Sequence, residues 1–160
     1  MSTAEILSKL TAKTSNYEGS GVRGTGGDDL RWQDIAQAAQ GIDSWKMAFM
    51  FCVYAGDSKS RYGFFAGLFM EVMERPETQL WIRHRKEQGK YIRGVEKMCQ
   101  LSITEWTHWN IVILEIDRAD HMGVSLSTWK RKYKPIYEMI TAIPTEWENE
   151  IMKIISKRLK

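Results

Sequence analysis

The chain has 160 residues, 43% of them apolar, with seven Trp and nine Met, which suits one folded domain with a sizeable core and excludes wholesale disorder. A net charge of +3 is too small to mark a nucleic-acid binder, so any such function must come from local clustering. Two distant cysteines, Cys52 and Cys99, exclude a zinc ribbon, and the scattered histidines His84, His108 and His121 lack ligand spacing, so no metal and no cofactor is expected.

The pattern along the chain is that of an all-α, multi-helix single domain behind a Gly-rich N-terminal segment. Residues 3–13 read as a short amphipathic helix with Ile6, Leu7 and Leu10 on one side. Residues 17–29 read as a flexible linker. Their glycines spell G-x-G-x-x-G at 19–24, but no strand precedes them, so a dinucleotide site is not expected. The chain therefore divides at 1–29 and 30–160. Leu30 to Gln40 suggests a helix ended by Gly41. A second, capped by Asp43 or Ser44, runs through Trp45, Phe49 and Cys52 to Tyr54. After the turn Ala55–Ser58, a third continues to about Arg75 with Phe64, Phe65, Leu68 and Val72 apolar. Pro76 opens a fourth that extends to Cys99 if Gly89 and Gly94 are tolerated. Ser102-Ile103-Thr104-Glu105 has the form of a capping box for a fifth, running through Trp106, Trp109, Ile113 and Ile116. Pro144 reads as the opening of the last helix, with Glu146, Glu148 and Glu150 early and Lys153, Lys157 and Arg158 late, matching the helix dipole.

The most informative stretch is Arg118 to Lys134. Ala119 is small where two helices would cross, Gly123 stands where the backbone must turn, and Ser125 can cap the next helix. Trp129 and Tyr133 share an inward face. This is the form of a helix-turn-helix near 115–137. Its second helix would present Ser125, Leu126, Ser127, Thr128, Lys130, Arg131 and Lys134 to double-stranded DNA. Pro135 either stops that helix or kinks it. A second basic run, Arg83, Arg85, Lys86, Lys90, Arg93 and Lys97, is a candidate contact for phosphates or a protein partner, with Lys86, Lys90, Arg93 and Lys97 on one stripe. The bland alternative is a solvated face.

No catalytic constellation emerges, and the chain is read as a non-enzyme. Asp117, Arg118, Asp120 and His121 suggest local salt bridging before the turn. No secretory leader opens the chain, and the longest apolar stretch, near Met47–Ala55, is too short to span a bilayer. Buried free thiols in a reducing cytoplasm are the expectation for both cysteines.

Three patches carry a family resemblance: Trp32-Gln33-Asp34-Ile35-Ala36, Tyr54-Ala55-Gly56-Asp57, and Met122-Gly123-Val124 followed by Trp129. Together they resemble the small Q-type late-gene antitermination proteins of temperate phages, over roughly Arg31 to Tyr137. Some such proteins carry a cysteine zinc module that this chain lacks. The resemblance implies a DNA-binding protein that loads onto host RNA polymerase at a late promoter and lets it read through terminators. Two rivals stand beside it. One is a helix-turn-helix repressor or packaging protein without polymerase contact. The other is a protein-only helical module.

Overall fold

The computed structural model describes residues 37–108 and 111–159, and every described element is helical. Helix α1 spans Ser44–Tyr54, and a 3-10 turn at Ser58–Ser60 leads into α2 at Arg61–Glu74. Then come α3 at Pro76–Arg83, α4 at Gln88–Thr107 and α5 at Glu115–Met122. A short α6 at Leu126–Thr128 passes through a π turn at Trp129–Tyr133 into α7 at Lys134–Arg158. The expected N-terminal helix and Gly-rich linker lie outside the described residues, as does most of the Leu30–Gln40 helix.

The long α7 is the centre of the molecule. Ile136, Tyr137, Ile140, Ile143, Trp147, Ile151 and Ile155 fall on one buried stripe at helical spacing. That stripe packs against α1, α2 and α4. Trp147 lies 6.0 Å from the Phe49 ring and 6.2 Å from Phe64, in edge-on or tilted geometry. Its indole N–H donates to the Glu71 carboxylate at 2.6 Å. Glu71 also accepts from Arg75 at 2.9 Å, and Arg75 reaches Glu146 at 2.6 Å. Helices α1 and α2 approach closely because Gly67 has no side chain: a Cβ there would stand 2.3 Å from the Trp45 Cβ.

Three expectations about element boundaries are corrected. The fourth helix does not run from Pro76 to Cys99. It breaks after Arg83, and α4 begins afresh with Glu87 as N-cap. Ser102 caps nothing: it is buried within α4, where its hydroxyl donates to Thr141 at 3.3 Å. An S-x-x-E pattern inside a helix that has already started has no free amides to serve. The next helix starts at Glu115, where the Asp117 carboxylate accepts the Leu114 N–H at 3.1 Å. Trp109 lies outside the described residues.

Pro144 does not open the last helix but sits inside α7, buried. Pro135 instead occupies the start of α7, and the π turn explains how. The Lys134 N–H bonds the Trp129 carbonyl, one residue wider than an α turn. The proline's missing N–H and its ring, which would break an α-helix interior, fall where the ladder is already loosened. The Lys132 carbonyl there accepts the Trp81 indole N–H at 2.9 Å, tying α3 to this turn.

Both cysteines are buried and unpaired. Burial pushes the Cys99 thiol up to about 12 and raises Cys52 as well, so both stay protonated and inert at neutral pH. Among the described residues, no helix is long and apolar enough to cross a membrane, and no cluster of His, Cys, Asp or Glu is placed to hold a metal.

Candidate nucleic-acid interface

Helices α5 and α6 form a tight hairpin. Gly123 takes φ 69°, and its N–H bonds the Asp120 carbonyl at 3.0 Å, while Val124 N–H bonds that of Ala119 at 3.0 Å. These paired bonds close α5 in the manner of a left-handed glycine cap. Ala119 is fully buried and Met122 nearly so, which presses α5 against the body of the protein. Ser125 then caps α6, its Oγ accepting the Thr128 N–H at 3.2 Å.

A side chain at residue 123 would meet nothing within 4 Å, so only backbone strain opposes it. We expect Gly123→Val to lose about 1–2 kcal/mol through the left-handed conformation, and Gly123→Asn to lose clearly less. Thermal melts of the two variants check this. Equal melting points for Val, Asn and the native chain would contradict the turn.

The inward and outward residues of the second arm separate by burial. Trp129 is fully buried and Tyr133 nearly so, as the inward face requires. Ser127, Lys130 and Arg131 are exposed on the outer edge. Ser125 is also exposed, with its hydroxyl engaged in the cap and within 2.9 Å of the Thr128 hydroxyl. Leu126 is half-buried and packs on the core, which removes most of it from any external contact. Thr128 is half-buried.

Lys130 and Lys134 carry a feature that sequence alone did not suggest. Glu115, at the start of α5, pairs with Lys134 at 2.5 Å and Lys130 at 3.5 Å. The Lys134 hydrogen bond, with the charge of Lys130 adding, holds the Glu115 carboxyl below the usual carboxylate range, and the same contact raises Lys134. Both lysines are thus engaged in the free protein. Nothing local in the sequence marks Glu115, because the contact is made only when the two arms of the hairpin fold together.

Arg118 does not join its neighbours in local salt bridges. Its guanidinium donates to Glu105 of α4 at 2.6 and 2.8 Å and lies 5.4 Å over the Tyr137 ring. The Tyr137 hydroxyl donates to the other oxygen of the same carboxylate. This ion pair fixes α5 on α4 and α7.

The second basic run is split by the break between α3 and α4. Lys86 lies in the link, so only Lys90, Arg93 and Lys97 share a stripe on α4. Arg83 is exposed at the end of α3. Arg85 is half-buried, its guanidinium 5.1 Å over Tyr91 and 5.8 Å over Trp81. The structure brings the α4 stripe beside the hairpin. A groove of 290 Å³ lies between them, with Lys90, Arg93 and Lys97 on one wall and Gly123, Thr128 and Lys132 on the other. Tyr133 also borders it, and burial raises that hydroxyl above the usual phenol range, so it remains a donor at neutral pH. Lys132, outside the set of residues expected to face DNA, thereby belongs with the second run.

No family model, curated protein or solved structure matches this chain.

Proposed function

We propose that this protein binds double-stranded DNA through a helix-turn-helix made of α5 and the α6–π turn–α7 segment. One observation carries the reading: a glycine-capped turn and a serine-capped second helix leave Ser127, Lys130 and Arg131 exposed while Trp129 and Tyr133 are buried. That arrangement supplies a rigid arm with hydrogen-bonding and cationic side chains of the kind that read base edges in a major groove. A π turn within the arm adds weight, since such turns recur at functional sites. The particular role proposed is transcription antitermination, with host RNA polymerase as partner. Its support is the resemblance to Q-type proteins.

A protein-only module is the second reading. The observation favouring it is Glu115, which occupies Lys130 and Lys134 in the free protein. On the DNA reading, phosphates displace that carboxylate. Glu115→Gln should then strengthen duplex binding and Arg131→Ala should weaken a selected site by about 1–3 kcal/mol. Selecting sites from a random duplex pool, followed by titration of both variants, makes the test. Absence of any selected sequence, with no duplex binding at low salt, would leave the protein-only module. Transcription across a terminator from a template carrying the selected site separates the remaining pair. Read-through marks antitermination, and blocked initiation marks repression.

A further inference from the structure

We infer that the groove between α4 and the hairpin is an oxyanion site that seats a phosphate group of the DNA backbone. The inference deepens the DNA-binding reading and rests on it for the source of the phosphate. Four cations border the groove, Lys90, Arg93 and Lys97 from α4 and Lys132 from the π turn, and no carboxylate lines it. Among the described residues, Arg93, Lys97 and Lys132 have no ion-pair partner, and Lys90 has only the exposed Glu87 at 3.8 Å.

Such a cluster opposes folding. Like charges at i, i+3 and i, i+4 on one helix repel, and Lys132 joins them only because the tertiary fold brings it there. An occupant of opposite charge removes that repulsion. Thr128 also borders the groove, its hydroxyl accepting from Ser125 at 2.9 Å. The floor is kept low at Gly94, where a Cβ would stand 3.4 Å from the Tyr133 ring and 3.8 Å from the Met122 methyl.

Size narrows the ligand. Pockets for small molecules run to about 300–1,000 Å³, so a groove of 290 Å³ lies at the small end and has room for a phosphate and the atoms beside it. Position names the source. Gly123, Thr128 and Lys132 belong to the same hairpin that presents Arg131, so an occupant sits next to the arm proposed to enter the major groove. Phosphate contacts of this kind fix register on the duplex and carry no sequence information.

The test uses the full chain and two double variants. Arg93→Gln with Lys97→Gln removes two groove charges. Lys153→Gln with Lys157→Gln removes two exposed charges elsewhere on α7. Inorganic pyrophosphate should shift the amide resonances of Gly94, Gly123 and Lys132 in the native chain and in the α7 variant, and not in the groove variant. With a short mixed-sequence duplex, the slope of log affinity against log salt should shrink by about 0.9 in the groove variant, the value for loss of one phosphate contact. It should stay unchanged in the α7 variant.

No localised pyrophosphate shift together with an unchanged slope overturns the site. An equal loss of slope in both variants also overturns it, because net charge then suffices. Localised pyrophosphate binding with an unchanged slope keeps the oxyanion site and rejects the DNA backbone as its source. If the chain binds no duplex at all, the DNA-binding reading falls, and the pyrophosphate shifts alone decide the groove.

Discussion

Trp147→Ala is expected to lower the unfolding free energy by about 3–5 kcal/mol, among the largest effects a single truncation can have in this protein. The side chain is 1% exposed and stands between Phe49, Phe64 and the Glu71 carboxylate. Truncation removes ring contacts on two sides and opens a cavity at the middle of α7. It also takes a donor from Glu71, which keeps Arg75 as its remaining partner. Trp147→Phe separates these contributions. It retains most of the packing and loses the indole hydrogen bond, so it should cost about 1–2 kcal/mol. Urea unfolding followed by circular dichroism measures both. If the alanine variant fell within about 0.5 kcal/mol of the native chain, the range of ordinary surface changes, Trp147 would not be at the core.

Gly67→Val is the second large effect, about 3 kcal/mol or more, by overpacking rather than by loss. The first added carbon would stand 2.3 Å from the Trp45 Cβ and 2.4 Å from its Cγ. No rotamer of Trp45 moves its own Cβ, so α1 and α2 must separate. Glycine is a poor helix former, and this helix accepts it to gain close approach. Gly94→Ala is the informative contrast. Its Cβ meets the Tyr133 ring at an ordinary 3.4 Å. There the helix propensity gained, roughly 1 kcal/mol, should outweigh any crowding and leave the protein slightly more stable. Melting curves of the two glycine variants should therefore move in opposite directions.

The all-helical class was legible because the apolar residues buried on α2 and α7 recur at helical spacing. Pro76 and Gly123 marked their boundaries correctly, since each acts through its own backbone: a missing N–H at a helix start and a positive φ at a helix end. Of the two prolines nearer the C-terminus, Pro144 misled. Pro144 reads as a helix start, yet packing along the stripe from Ile136 to Ile155 outweighs one lost hydrogen bond. Pro135 is tolerated through a π turn, which leaves no pattern in residue type.

At the candidate interface, the inward residues Trp129 and Tyr133 were readable from spacing. The partners of the outward ones were not. Glu115 with Lys130 and Lys134, Arg118 with Glu105, and Lys132 across the groove from Arg93 all involve separate helices. Local periodicity describes one helix face at a time and is silent about which face of another helix meets it.

The helical path from Leu126 to Arg158 has a consequence for how this protein can change over time. Its first turns carry the exposed edge proposed to touch DNA, and its later turns carry Ile140, Trp147 and Ile155, the spine of the interior. The other arm, α5, has only eight residues, too few to hold helical form alone, where roughly 12–15 are marginal. The hairpin is therefore not a cassette that could be lifted out and grafted onto another scaffold. Lengthening or rotating its second arm would drag the interior with it. New specificity must arrive by exchanging outward side chains at fixed positions, one at a time, on a rod whose other end is already committed.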